Sequence, residues 1–222
     1  MSISQRKPDM KKSFLTTLIF GLFLCFSAVK CESAVSADEA RAFLNDTGQK
    51  LIETLSLSDR EEKYEALDEL FETKVDLDYA SKFVLGQYYK KLNKTQKSHY
   101  QALFGRYLKS LYKSYPLDFE TEGTGFEIKS VQVAEKYTNA LAVVNVPPQF
   151  QTENFQTVLL EFKLTQKNGK IFLVDFKIGE TSMLLTLRGR FLQMIKDDEE
   201  EMDWFLEDFE DLVLSNERNL EQ

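Results

Sequence analysis

FQTVLLEFKLTQKNGKIFLVDFKI, residues 155–178, holds two runs of alternating apolar residues on either side of an Asn168-Gly169 pair. Asn-Gly tolerates the positive φ that a type I′ turn needs at both centres, so the stretch predicts a two-residue β-hairpin. In the first run Val158, Leu160, Phe162 and Leu164 share a face. In the second, Phe172, Val174, Phe176 and Ile178 do, with mostly polar residues opposite. A sheet with one apolar face has to be covered, and the rest of the chain must supply the cover.

Immediately upstream, Phe126 to Lys136 and Ala140 to Val146 have the same β-branched and aromatic texture, which predicts two further strands and a four-stranded antiparallel meander. Before them the period changes to that of a helix. Leu44, Leu51, Ile52 and Leu55 mark a first helix, and Tyr64, Leu67 and Phe71 mark a second behind a Ser58/Glu61 capping pattern. Ala80, Val84 and Leu85 mark a third that Asp76 caps and Gly86 ends. After Thr95 the residues Tyr100, Leu103, Phe104, Tyr107, Leu108, Leu111, Tyr112 and Tyr115 keep i, i+3, i+4 spacing until Pro116. Beyond the hairpin, helical spacing returns at Thr181 to Ile195. It returns again at Met202, Phe205, Leu206, Phe209, Leu212 and Val213 within an acidic segment near 198–214. N-terminal helices, a twisted four-stranded antiparallel sheet and C-terminal helices make an α+β domain with one apolar sheet face covered by helices.

At the N-terminus, Arg6, Lys7, Lys11 and Lys12 precede an uncharged run from Ser13 to Val29, and small residues follow through Val35-Ser36-Ala37. This is the pattern of a secretory signal peptide over 1–37, with cleavage before Asp38 and a single domain over 38–222. Cys25 and Cys31 both fall in the removed part, leaving no disulfide and no thiolate nucleophile. Lipidation at Cys31 is the rival, opposed by Lys30 standing where a lipoprotein signal takes a small residue. The whole chain carries 28 Lys+Arg against 36 Asp+Glu, and trimming 1–37 makes the balance more acidic still. That disfavours nucleic-acid binding, and no later apolar run is long enough for stable membrane insertion.

Chemistry-bearing patterns are scarce. His99 is the one histidine and sits off the apolar stripe of its helix, with no second histidine to share a metal. There is no G-x-S-x-G, H-E-x-x-H, Walker or G-x-G-x-x-G motif. Asp175 and Glu161 could serve as an acid/base pair, but they fall on the polar side of the hairpin, where nothing perturbs them. The reading is therefore of a protein that is not an enzyme and needs no metal or cofactor.

Two ordered blocks then carry a resemblance. Val75-Asp76-Leu77-Asp78-Tyr79-Ala80-Ser81-Lys82-Phe83-Val84-Leu85-Gly86, followed by Tyr88-Tyr89-Lys90, Thr95-Gln96 and the Phe104 to Tyr115 helix, resembles the MlaC, or toluene-tolerance, family. So does Val174-Asp175-Phe176-Lys177-Ile178 with Thr181-Ser182-Met183-Leu184 and Arg188 to Phe191. Leu77 stands where the family has phenylalanine, and Glu180 where it usually has glycine. The resemblance implies a periplasmic phospholipid shuttle that helps maintain outer-membrane lipid asymmetry. Its implied partners are phospholipid as cargo, an inner-membrane transporter bearing MCE-domain rings and an outer-membrane lipoprotein complex.

A carrier has to line the acyl chains with apolar side chains, since each exposed CH₂ costs about 0.8 kcal/mol. For a lipid cavity between sheet and helices, the candidate lining is Leu103, Phe104, Tyr107, Leu111, Val158, Leu160, Phe162, Phe172, Val174 and Phe176, each on the apolar side of its element. Arg188 and Arg190 are the candidates for the head-group phosphate. An aromatic stripe is also what an ordinary filled core shows. The alternatives are a carrier of a hopanoid or other envelope lipid, and a small α+β pocket enzyme of isomerase or hydrolase type.

Overall fold

The structure is a computed structural model that describes residues 32–115, 117, 121–122, 125–153 and 155–220. The leader expected over 1–37 therefore lies outside the described residues as far as Cys31. Glu32 onward forms one compact unit.

Four long strands make the body of the sheet, as the alternation predicts, and two short ones extend it. The strands are β1 (Glu32–Ser33), β2 (Gly125–Val133), β3 (Thr138–Asn145), β4 (Thr157–Lys167), β5 (Lys170–Ile178) and β6 (Thr181–Ser182). They pair antiparallel in the order β2-β3-β4-β5-β6. Asn168 and Gly169 take φ of 52° and 75°, the conformation expected of the turn between β4 and β5. Because β4 outruns β3, its end at Gln166 and Lys167 would lack a neighbour on that side. β1 fills the place, with Ser33 opposite Gln166 and Glu32 opposite Lys167.

That insertion falls inside the span 1–37 read from sequence as a leader. Glu32 to Ser36, assigned to the leader, belong to the folded unit: Val35 is fully buried and Ser36 caps the first helix. β2, at the free edge of the sheet, bulges at Lys129, because Ile128 faces Ala142 while Ser130 already faces Leu141.

The helices are α1 (Ala37–Leu55), α2 (Arg60–Lys74), α3 (Leu77–Leu85), α4 (Lys94–Lys113), α5 (Met183–Asp197) and α6 (Met202–Leu220). Their starts follow capping chemistry. Ser36 and Glu39 form a reciprocal box, as do Asn93 and Gln96, where the Gln96 amide donates to Asn93 at 3.0 Å and Asn93 donates back at 2.8 Å. Asp76 caps α3 as predicted, accepting from the Tyr79 amide at 3.0 Å. For α2 the cap is Asp59 in place of Ser58, and it accepts from the Glu62 amide at 2.8 Å. A carboxylate one residue closer to the first turn wins, because it also meets the positive end of the helix.

Two cores result. In the first, α1 lies on the sheet, with Val35, Ala40, Leu44, Ala140 and Leu164 buried together. Small residues allow the close approach: Ala40 and Ala140 are both fully buried in this cluster, and a Cβ on Gly48 would stand 1.8 Å from the Phe126 ring. In the second, α3, α4, α5 and α6 bury an all-helical cluster that includes Tyr100, Phe104, Phe191, Phe205 and Phe209.

Candidate functional site

The strand register turns the alternation into rows. Phe126, Val144 and Val158 lie side by side across β2, β3 and β4. The next row is Ile128, Ala142, Leu160 and Ile178, and the third is Val131, Ala140, Phe162 and Phe176. All project from one face of the sheet. The α1 core covers part of that face and includes Phe126, Ile128, Val131, Ala140 and Phe162.

Outside that cluster stand Val144, Val158, Leu160, Phe176 and Ile178. The first four are partly buried and Ile178 is 49% exposed. Apolar side chains in adjacent rows, half-covered by their own protein, form a surface ready to accept hydrocarbon. The opposite face differs in chemistry: Glu161 and Lys177 pair across it at 3.1 Å.

A second bulge decides which nominated residues belong here. Lys163 faces Asp175, but Leu164 already faces Leu173, so Val174 is the extra residue on β5. The alternation on β5 reverses at that point. Leu173 and Ile171 join the face of Leu164 and pack on the α1 core, whereas Phe172 pairs with Thr165 on the other side. The shared face read for Phe172, Val174 and Phe176 is thus broken. Val174 is buried and Phe176 keeps its place beside Phe162.

The α4 nominees occupy the other core. Leu103, Phe104 and Tyr107 are fully buried, and Phe191 of α5 stands at the centre of their cluster. Its ring centroid is 5.8 Å from Phe104, 5.6 Å from Tyr107, 6.4 Å from Tyr100, 6.1 Å from Phe205 and 4.9 Å from Phe209. Interlocked rings at these spacings fill their own space. The structure therefore brings Val158, Leu160, Phe162 and Phe176 together and sets Leu103, Phe104 and Tyr107 apart from them. Sequence reasoning missed Val144 and Ile128 as members of the rows, although the Ala140-Ala142-Val144 alternation carries the signal, and it placed Ile178 on the apolar face without naming it as lining.

Leu111 lies at the end of α4, on the rim of a recess of about 550 Å³ between α2, α4 and α6. Arg60, Lys63, Tyr64, Lys113 and Asn216 line it together with Tyr115, Leu117 and Leu220, so its wall is mixed, cationic on one side and apolar on the other. These groups are engaged with the protein: the Lys63 ammonium donates to the Leu117 carbonyl at 3.1 Å, Lys113 pairs with Asp68 at 2.9 Å, and the Arg60 Nε donates to the Tyr64 hydroxyl at 3.1 Å. Burial, together with a hydrogen bond to Asp68, pushes the neighbouring Tyr112 hydroxyl well above its ordinary pKa.

Arg188 is bound within the fold. Its Nη1 donates to the Phe83 carbonyl at 2.5 Å, closing the last turn of α3, and its guanidinium lies 5.5 Å from the Phe83 ring centroid. Arg190 is exposed on α5. Asp175 and Glu161 do not form a pair: Asp175 accepts from the Ser182 hydroxyl at 2.6 Å and the Leu184 amide at 3.1 Å, fixing the start of α5. His99 meets Glu210 at 3.3 Å on the surface between α4 and α6. Tyr79 and Tyr137 meet beside Lys167 and Lys163, and burial followed by the Tyr137 hydrogen bond raises the Tyr79 hydroxyl to about 12. Among the described residues no group of three His, Cys, Asp or Glu side chains could hold a metal ion. Among them, too, no helix is long and apolar enough to cross a membrane.

Comparison with known proteins supplies two findings. The model of the family described as MlaC protein matches residues 45–211. The chain also superposes on a solved structure, the phospholipid-binding protein from Ralstonia solanacearum in complex with a phospholipid. The TM-score is 0.61 at 13% identity, over 82% of this chain and 99% of that one. Among curated proteins none matches the sequence.

Proposed function

The chain belongs to the MlaC family, and from that premise we propose that it is a phospholipid-binding carrier of the periplasm. The observation that carries the reading is the set of apolar rows on one sheet face, of which Val144, Val158, Leu160, Phe176 and Ile178 lie outside the protein's own core. Two acyl chains released into water face on the order of 20 kcal/mol of apolar hydration, so a carrier has to offer a surface of this kind. The phospholipid held by the Ralstonia solanacearum protein of the same fold agrees with this cargo.

The recess ringed by Arg60, Lys63 and Lys113 falls within the range of small-molecule sites, roughly 300–1,000 Å³, but its mixed polar and apolar wall offers no continuous apolar surface like that of the sheet rows. Acyl chains lie instead along the sheet rows. Of the two nominated arginines, Arg190 is the one with an exposed side chain and serves as the head-group contact. The carrier passes lipid between an outer-membrane lipoprotein complex and an inner-membrane transporter with MCE domains. Its acidic charge disfavours resting on anionic bilayers, so exchange takes place on those protein partners.

The test is mass spectrometry of an organic extract of the purified protein, paired with transfer of labelled phospholipid between vesicles. Stoichiometric phospholipid and accelerated transfer are expected. A lipid-free protein that moves no phospholipid overturns the proposal, and a different lipid at the same stoichiometry replaces the cargo.

A further inference from the structure

We infer that acyl chains enter and leave the sheet rows at one end only, over a rim built by the β3–β4 connection and the start of α5, and that Phe150 and Phe155 are the side chains they pass. The inference rests on the carrier reading and adds the route of exchange to it.

Burial along the rows is graded. At the end nearest β1 the rows are sealed, because Leu164 and Ala140 are fully buried together with Val35, Ala40 and Leu44. Ion pairs close the same end: Glu32 holds Lys136 at 2.7 Å and Lys167 at 3.0 Å, and Lys167 also pairs with Asp76 at the start of α3. Hydrocarbon leaving that way would have to part a packed core and cross paired charges. Toward the other end the cover thins. Val144, Val158 and Leu160 are partly buried there, and Ile178 is 49% exposed.

Just past Val144 and Val158 the chain crosses from β3 to β4. The Val146 amide donates to the Gln156 carbonyl at 2.9 Å, and the Gln151 side-chain amide donates to the Val146 carbonyl at 2.7 Å. Thr152 and Phe155 exchange backbone hydrogen bonds at 3.2 and 3.1 Å. These bonds fix a loop that leaves both of its phenylalanines 48% exposed. Leu159 lies beside the end of β5, where its carbonyl accepts from the Gly179 amide at 3.2 Å, and Leu185 follows in the first turn of α5. Of the ten exposed large apolar side chains among the described residues, Phe150, Phe155, Leu159, Ile178 and Leu185 therefore stand at this one end, a clustering that marks a contact surface.

Charge is scarce over the same stretch. Residues 137–160 hold a single charged residue, Glu153, in a chain that is 29% charged. An acyl chain crossing the rim thus displaces water from apolar side chains and does not strip it from ions. Phenylalanines beside the rows shelter hydrocarbon in transit, which lowers the barrier to exchange and adds little to the hold on a chain already seated.

Transfer of labelled phospholipid between phosphatidylcholine vesicles, with the bound lipid counted by mass spectrometry, tests the route. The double variant Phe150→Ser, Phe155→Ser should keep stoichiometric phospholipid and transfer it about tenfold more slowly, the factor expected when two aromatic rings no longer cover hydrocarbon on its way out. Trp204→Ser, at a position 53% exposed on α6, should leave both quantities unchanged. Unchanged transfer by the double variant overturns the inference, as does equal slowing by Trp204→Ser. Loss of bound lipid from the double variant also overturns it, by placing the two rings in the resting site. A parent protein free of lipid is a separate result, which removes the carrier reading and this inference together.

Discussion

Replacing Gly86 with alanine should be among the most damaging small substitutions in the protein, and the damage should depend on Arg188. Gly86 ends α3 with φ 56° and ψ −119°, a conformation that disfavours any Cβ by about 1–3 kcal/mol. A Cβ built there would stand 2.5 Å from both terminal nitrogens of Arg188. The guanidinium has to move, and with it go a charged hydrogen bond to the Phe83 carbonyl, worth about 1.5–3 kcal/mol, and a ring contact worth about 0.5–1 kcal/mol. Gly86→Ala should thus destabilise by about 3–5 kcal/mol and Arg188→Ala by about 2–3 kcal/mol. The double variant should fall short of the sum by about 2 kcal/mol, because the displaced arginine cannot be lost twice. Urea denaturation at constant m measures all three, and calorimetry should show about 2–4 °C per kcal/mol. Strictly additive costs, or a Gly86→Ala variant within about 0.5 kcal/mol of the parent, would refute the argument that the two sites share one space.

Three further outcomes follow from particular side chains. Leu160→Asp, which places a charge in the apolar rows, should reduce bound phospholipid at least about tenfold in extracts, given the cost of burying an unpaired carboxylate. Leu159→Asp, one residue away on the opposite face and 52% exposed, should leave it unchanged. Phe191→Ala should destabilise by about 3–5 kcal/mol in urea, since five aromatic rings lose their common neighbour. The Asp198 carboxyl is raised above its ordinary value by partial burial and then by Asp208. A raised acid favours the folded state below its unfolded pKa, and that contribution disappears as pH rises through the folded one. Asp198→Asn should therefore raise the melting temperature slightly at pH 7, with the difference vanishing below about pH 4.

How much of this was legible depended on whether the informative contact was local. Alternation and the Asn168-Gly169 pair placed β4 and β5, because strand period and turn chemistry are written in adjacent residues. The bulge at Val174 was not: Phe172, Val174 and Phe176 keep a perfect alternation in sequence, and the slip exists only relative to β4. The aromatic stripe of α4 correctly announced a buried face but could not name its partner. That partner is Phe191 with Phe205 and Phe209 at the far end of the chain, and not the sheet. Small residues before Asp38 have the composition of a leader's end and equally of a short edge strand with a cap. Arg188 looked like a free cation because nothing nearby in sequence reveals the Phe83 carbonyl. The two blocks that carried the family resemblance meet in space at this point, through Arg188 and Gly86, and next to the second block the Asp76 amide donates to the Leu173 carbonyl at 2.9 Å.

The pairing of Ser33 with Gln166 spans 133 positions of chain. In a polypeptide threaded through a translocation channel amino end first, the segment that emerges earliest is thus among the last to find its neighbour. Once β4 has followed, β1 closes against it and the amino end of the described residues is tied down, so the last contact of the sheet to form locks its first segment.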